Sequence, residues 1–309
     1  MKFNLSNTAI PFMSARIGGF IFSAILIILS FGSFFYSGLN FGIDFKGGTL
    51  IEIETADEVN LADIRSNLNS LSLGDVQVQE FGSTKNILIR VEQQAGGDNV
   101  QQNVVELVKA SLDKNITTSI SYRRTEVVGP KVSGELIQSG IIAIAVAVIA
   151  MLIYIWFRFE WQFSLGAVIA LVHDVILTIG VFCFTQLEFN LPIIAAILTI
   201  VGYSMNDTVV VYDRVRENLR KYRSKPIIEL LDLSINETLS RTVITSVTTL
   251  LALVSLYIFG GSVIKGFTFA MIWGVVVGTY SSIFVASPFL KYVDVKRDWN
   301  TTSAVDSTK

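Results

Sequence analysis

Long apolar runs recur six times along the chain, and polar segments separate them. A helix needs about 20 mainly apolar residues to cross a bilayer, and each run falls within or near that length. The pattern therefore predicts a polytopic α-helical membrane protein with six transmembrane helices. The runs cover residues 17–37, 136–157, 162–184, 190–211, 242–259 and 266–290.

The polar segment between the first two runs has the pattern of a small folded domain. The stretches TLIEIET, VQVQEF and ILIRVE alternate with period two, whereas VELVKASL has helical spacing. The predicted order is strand, helix, strand, strand, helix, strand, which is the ferredoxin-like α+β unit. These elements are placed at 49–55, 58–71, 76–81, 86–92, 98–113 and 117–128.

Composition supports a membrane location and excludes several classes of protein. Apolar residues make up 51% of the 309 residues and charged residues 16%, whereas soluble domains have about 25% charged residues. A net charge of −2 gives no nucleic-acid-binding footprint. With Cys183 as the single cysteine, an intrachain disulfide and a cysteine-based metal site are both ruled out. No phosphate loop, zinc spacing, nucleophile elbow or dinucleotide fingerprint occurs, so we expect no enzyme, no cofactor and no metal.

Basic residues predict the orientation, because cytoplasmic loops of membrane proteins are enriched in lysine and arginine. With the N-terminus inside, the cytoplasmic segments hold 14 of the 24 basic residues, whereas the outer domain holds nine and the short outer loops hold only Lys265. Both termini are therefore expected in the cytoplasm and the small domain on the outer side. The predicted organisation is an N-terminal segment (1–16), a first transmembrane helix (17–38), the outer domain (39–135), a five-helix remainder (136–290) with a basic cytoplasmic loop (212–241), and a cytoplasmic tail (291–309). The basic residues in these cytoplasmic segments include Lys2, Arg158, Arg214, Arg216, Arg220, Lys221, Arg223, Lys225, Lys296, Arg297 and Lys309.

Four ionisable residues lie within the runs or directly at their ends, where they are costly and are treated as functional candidates. Asp207 near the inner end of the fourth run and Arg241 at the start of the fifth lie at similar depth, so they could meet as an ion pair. A purely static pair is the structural alternative. His173 and Asp174 in the third run are adjacent, so we expect them to point about 100° apart and not to pair. His173 is interpreted as a hydrogen-bonded core residue, and Asp174 as either functional or structural.

Polar side chains form one stripe on the fourth run and another on the fifth. Such stripes in lipid either pack helices together or line a hydrated path, and both interpretations stay open. The fourth-run stripe holds Thr199, Tyr203, Asn206, Asp207 and Arg214, and the fifth-run stripe holds Thr238, Arg241, Thr245, Thr248 and Ser255.

Glycines flank the outer domain and recur in the last run. The segment FGIDFKGG contains Gly42, Asp44, Gly47 and Gly48 and leads into the first strand. On the other side of the domain stand Gly129 and Gly134. Glycine admits unusual backbone angles, so these segments are either hinges or plain turns. In the last run, Gly274 and Gly278 have the G-x-x-x-G spacing of close helix packing.

Four segments together resemble the SecF family, the smaller partners of SecD in the bacterial SecDF complex, within the resistance-nodulation-division superfamily. They are FGIDFKGGTL, VGPKVSGEL, LTIVGYSMNDTVVVYDRVREN and NETLSRTVITSVTTLL, in the expected order. The resemblance implies a non-enzymatic assistant of protein export, driven by a proton or sodium gradient. It implies that Asp207 and Arg241 form the ion-conduction centre, helped by Thr245 and Thr248, with Asn206 beside them.

The resemblance also implies partners and a location. The partners would be SecD, the SecYEG translocon, YajC and the exported preprotein, with lipids of the bacterial inner membrane around the helices and the small domain in the periplasm. Two alternatives remain at this point. One is an ion-inert scaffold of the translocon, in which Asp207 and Arg241 only lock helices together. The other is a small-molecule efflux pump of the same superfamily, although one outer domain of this size is small for a drug-binding chamber.

Overall fold

Six long apolar helices and one four-stranded sheet make up the computed structural model, which describes residues 9–94, 96, 98–261, 263–293 and 295. The predicted fold class is confirmed. The elements are α1 (Arg16–Ser37), α2 (Ile43–Lys46), β1 (Gly48–Thr55), α3 (Leu61–Asn69), β2 (Val76–Glu80), β3 (Asn86–Val91), α4 (Asp98–Asn115), β4 (Ile120–Val128), α5 (Pro130–Arg158), α6 (Trp161–Thr185), α7 (Leu191–Lys221), α8 (Ile227–Phe259) and α9 (Lys265–Ser281).

The apolar helices extend beyond the predicted runs at several ends. Most of the segment 212–241, predicted as a basic loop, is helical, because α7 continues to Lys221 and α8 starts at Ile227. Leu230, Leu231 and Ile235 are buried on this part of α8, so an amphipathic face extends the helix beyond its apolar run. Residues 1–8 and nearly all of the predicted tail lie outside the described residues, as do Lys2, Lys296, Arg297 and Lys309.

The outer domain is an antiparallel sheet with the strand order β2-β3-β1-β4, the order of a ferredoxin-like unit. Ile51 of β1 lies opposite Ile89 of β3 on one side and Thr125 of β4 on the other. Alternate strand residues pack against α3 and α4, which supply Ile64, Leu68, Val104 and others to one apolar core. This domain is joined to α1 through α2 and to α5 directly after β4.

Helices α6, α7 and α9 form the centre of the membrane part. More than half of the most apolar segment of each is buried within the chain, whereas α1, α5 and α8 are mostly exposed. The predicted packing role of the last-run glycines is confirmed. A Cβ atom at Gly274 would overlap Ile200, and one at Gly278 would lie 2.9 Å from the Ser204 Cβ atom. These glycines therefore let α9 lie close against α7.

Candidate functional site

Asp207 of α7 is a buried carboxylate with only one hydrogen-bonded oxygen. Its side chain is 8% exposed, and Thr242 Oγ1 of α8 donates to Oδ1 at 2.7 Å. The second oxygen, Oδ2, is buried and has no hydrogen-bond partner among the described residues. A buried carboxylate oxygen without a donor is costly, and a proton or a metal cation would relieve that cost.

The predicted ion pair between Asp207 and Arg241 is not formed in this conformation. Within the part of the chain that the structure describes, no salt bridge joins them, and Arg241 lies exposed on α8. Consecutive residues of a helix point about 100° apart, so turning Thr242 toward α7 turns Arg241 away. The guanidinium is therefore not a direct partner of the carboxylate in this conformation.

The other predicted conduction residues also lie on outward-facing positions. Thr245 and Thr248 are exposed, and each hydroxyl donates to a carbonyl of its own helix, 2.9 Å from Arg241 O and 2.8 Å from Ile244 O respectively. Asn206 is exposed next to Asp207. The side chains of Asn206 on α7 and of Thr245 and Thr248 on α8 are therefore accessible to a partner molecule.

A different polar stripe on α8 faces the core, and of its members only Thr238 belongs to the predicted fifth-run stripe. Thr242 binds Asp207, and Ser246 lies 2.8 Å from Thr279 Oγ1 of α9 and 3.5 Å from Tyr203 Oη of α7. These hydroxyl residues of α8 follow one another at steps of four, a spacing that predicts one shared helix face. The buried members of this stripe are Ser234, Thr238, Thr242 and Ser246.

His173 and Asp174 form a hydrogen bond, and the prediction that they cannot pair is wrong. His173 Nδ1 lies 2.8 Å from Asp174 Oδ1, and both side chains are almost fully buried. Side-chain torsions bring the two groups together although their Cα–Cβ bonds diverge. The other carboxylate oxygen, Oδ2, accepts hydrogen bonds from Ser204 of α7 at 2.5 Å and Ser281 of α9 at 2.8 Å.

The glycine segment before β1 docks onto the loop that precedes α7. The backbone N–H of Gly42 donates to Phe189 O at 2.8 Å, and Phe189 N–H donates to Asn40 O at 2.7 Å. Asp44 Oδ2 accepts from the backbone N–H of Leu191 at 2.8 Å. Leu191 is the first residue of α7, whose N-cap residue Asn190 makes no side-chain cap bond. Asp44 therefore caps the helix that carries Asp207.

Two further contacts join the outer domain to the same loop. Arg90 of β3 forms a 2.6 Å salt bridge with Glu188, and both side chains are largely shielded from solvent. Phe45 of α2 packs among Phe182 and Phe189. The N-terminal end of α7 is thus held by the domain through a cap, an ion pair and an apolar contact.

The glycines on the two sides of the domain differ in their surroundings. Gly47 has φ +72° and Gly48 has φ +110°, angles that favour glycine. A Cβ atom at Gly48 would overlap the Val91 carbonyl of β3, so this position is tightly packed. Gly129 immediately precedes α5, and Gly134 lies inside that helix.

Comparison with known proteins gives two matching family models. The family described as protein export membrane protein SecD/SecF, C-terminal, matches residues 108–296, and the SecD/SecF GG motif matches residues 32–59. The second range contains the segment that caps α7. The first contains Asp174 and Asp207, the two buried carboxylates described within the membrane helices.

Related sequences and solved structures agree with these family models. The chain is 46% identical to protein translocase subunit SecF of Cereibacter sphaeroides, covering 96% of this chain and 93% of that protein. It is 47% identical to the Rickettsia rickettsii protein of the same name, covering 90% of each. The crystal structure of SecDF from Thermus thermophilus, a translocon-associated membrane protein, is similar with a TM-score of 0.83 and 35% identity over 93% of this chain. This chain covers 39% of the length of that solved chain.

Proposed function

Because this chain belongs to the SecF family of protein-export membrane proteins, we propose that it uses an ion gradient to promote export of preproteins across the bacterial inner membrane. In this proposal it is a non-enzymatic subunit that acts together with SecD. The observation that carries the proposal is the half-satisfied carboxylate of Asp207, buried beside Thr242 within the membrane helices. Such a group has one free oxygen for a proton or a sodium ion.

Ion movement through this site supplies enough energy for a conformational change. One elementary charge crossing 100 mV yields about 2.3 kcal/mol. That energy shifts a two-state equilibrium by nearly two decades, so a few ions per cycle would drive a domain movement. The two states of Asp207 would be an ionised form held by Thr242 and an ion-loaded form in which the carboxylate charge is neutralised.

Helix α7 is the element that would carry the change outward. Asp207 lies about 24 Å along the helix axis from Leu191, at 1.5 Å per residue. At the Leu191 end, α7 is capped by Asp44 of the segment leading into the sheet. A shift of α7 at Asp207 would therefore move the contact at which the outer domain is anchored.

SecD is the partner that fits the uncovered polar face of α8. Arg241, Thr245 and Thr248 are exposed in this chain, and an arginine facing lipid is costly. We propose that SecD packs against this face of α8, directly or across a hydrated path between the two subunits. In this proposal Arg241 contributes to ion passage. The remaining partners in the proposal are the SecYEG translocon, YajC, the preprotein and inner-membrane lipids, with both termini of the chain in the cytoplasm and the small domain in the periplasm.

Ion uptake by reconstituted complexes tests the proposal. The purified SecD-containing complex would be placed in liposomes, and uptake of protons or sodium would be followed under an imposed potential. Asp207→Asn should abolish the flux, because the amide keeps the shape but binds no proton. Arg241→Lys should restore less flux than the wild-type residue, since an ammonium does not reproduce the planar guanidinium. Wild-type flux through Asp207→Asn would favour the ion-inert scaffold instead.

A further inference from the structure

A chain of hydrogen bonds runs from Asp174 to α1 through His173. His173 Nδ1 lies 2.8 Å from Asp174 Oδ1, and His173 Nε2 lies 3.1 Å from Ser23 Oγ of α1. Ser23 Oγ lies 3.1 Å from Tyr280 Oη of α9. Tyr280 Oη in turn donates to the Gly19 carbonyl at 2.7 Å. Four consecutive hydrogen-bond contacts thus join helices α6, α1 and α9.

Each of the four contacts needs one donor hydrogen, and the number of hydrogens that these side chains carry can be counted. A serine and a tyrosine hydroxyl bring one hydrogen each. A neutral imidazole brings one more, so an ionised Asp174 beside a neutral His173 provides three hydrogens for four contacts. One additional proton, on the imidazole or on the carboxyl, fills all four. In either form His173 Nε2 carries a hydrogen and donates to Ser23.

The charge balance of the site supports the same count. The groups that face the pair from neighbouring helices are hydroxyls, from Ser23, Ser204, Tyr280 and Ser281, and among its hydrogen-bond partners in the described chain there is no second cation. An ionised Asp174 beside a neutral His173 would leave a net negative charge buried between membrane helices, which is costly. An extra proton makes the pair neutral overall.

From these contacts we infer that His173 and Asp174 form a second proton-binding site, which holds one extra proton and fastens α1 to α6 and α9. The two serine hydroxyls on Asp174 Oδ2 stabilise a carboxylate, so the proton resides on the imidazole. The Tyr280 ring, which stacks near His173 at an interplanar angle of 29°, also suits a cationic imidazole. The inference does not depend on ion flow through Asp207.

Loss of this proton has a specific structural consequence. Ser23 would then have to donate to His173 Nε2, and Tyr280 could satisfy either Ser23 or the Gly19 carbonyl but not both. One contact between α1 and α9 would be lost. Because α1 leads into the glycine segment that caps α7, proton loss at this site would loosen a helix connected to the outer domain.

Nuclear magnetic resonance of the histidine ring nitrogens tests the inference directly, since His173 is the single histidine of the sequence. The full chain would be labelled with ¹⁵N-histidine, purified with its SecD partner through a histidine-free tag, and placed in lipid nanodiscs. The signal that disappears in His173→Gln identifies the residue. At neutral pH we expect a hydrogen on Nε2 and on Nδ1. A missing hydrogen on either ring nitrogen would overturn the inference.

Two matched variants separate the site from general effects on α1. In Ser23→Ala the Nε2 hydrogen loses its acceptor, so a signal from an unprotonated ring nitrogen should appear at a pH where the wild type shows none. Ser30→Ala makes the same change two turns along α1, outside the hydrogen-bond chain, and should leave the spectrum unchanged. If Ser23→Ala has the wild-type spectrum across the titration, the proposed link between the proton and α1 is wrong. If Ser23→Ala fails to fold, the wild-type Nε2 signal still decides the inference.

Discussion

Removing the carboxylate of Asp44 should weaken the connection between the outer domain and the ion site. In Asp44→Ala the backbone N–H of Leu191 loses its acceptor at the start of α7. Loss of a helix N-cap costs about 0.5–2 kcal/mol, and loss of a carboxylate near a helix N-terminus adds a few tenths when the group is partly exposed, as here. A total near 1 kcal/mol corresponds to a population change of roughly five-fold.

The assay is gradient-driven export of a preprotein into inverted membrane vesicles, with the amount of inserted chain measured in parallel. We expect the gradient-dependent part of the export rate to fall about five-fold in Asp44→Ala, with normal insertion. Asp44→Asn should stay near the wild-type rate, because asparagine is as good a capping residue as aspartate. Asn190→Ala should also stay near wild type, because this residue makes no cap bond.

Each outcome of this series has a separate meaning. Normal gradient-dependent export by Asp44→Ala would refute the proposed coupling through the cap. A loss in Asp44→Asn equal to that in Asp44→Ala would show that the charge matters and the hydrogen bond does not.

Two other changes test neighbouring steps of the account. Thr242→Val removes the hydroxyl that binds Asp207 and should lower ion-driven export ten-fold or more, since a hydrogen bond to a charged group contributes about 1.5–3 kcal/mol. Thr242→Ser keeps the hydroxyl and should retain activity. A fully active Thr242→Val variant would contradict the role of this bond. Gly48→Ala should destabilise the outer domain by roughly 2 kcal/mol or more, because φ is +110° and the new methyl group would overlap the adjacent strand. Protease resistance of the outer domain in spheroplasts measures this loss of stability. The control is Gly38→Ala, because Gly38 also has a positive φ but a Cβ atom there would meet no neighbouring atom. Equal resistance of the two variants would show that packing at Gly48 is unimportant.

Much of the fold is predictable from local patterns in this sequence. The apolar runs are long enough to identify all six membrane helices, and period-two alternation locates the strands of the outer domain to within a few residues. Hydropathy alone predicts a loop at 212–241, whereas most of this segment is helical. The apolar spacing of Leu230, Leu231 and Ile235 carries the missing information.

The residues of the candidate site can be predicted in part from the sequence, but their side-chain orientation cannot. Counting residues predicts that Asp207 and Arg241 lie at similar depth, yet it does not give the rotation of α8, which brings Thr242 and not Arg241 to the carboxylate. The rotation of α8 follows from the four-residue spacing of its small hydroxyl residues. A prediction that starts from the charge of Arg241 overlooks this spacing.

Contacts between distant segments are the least predictable part. Asp44 and Leu191 are 147 residues apart, and the capping bond depends on how the glycine segment docks on the loop before α7. The local pattern of FGIDFKGG indicates a turn and no more.

The central claim is that an ion carried at Asp207 drives export, and one measurement tests it most directly. Inverted vesicles containing the wild-type complex or Asp207→Asn would import a preprotein with its ATP-driven phase completed, under an imposed proton gradient and, separately, a sodium gradient. The account predicts that one of the two gradients accelerates import in the wild type and that neither does so in Asp207→Asn, at equal insertion and equal ATP-driven import. Equal acceleration of the wild type and Asp207→Asn would contradict it.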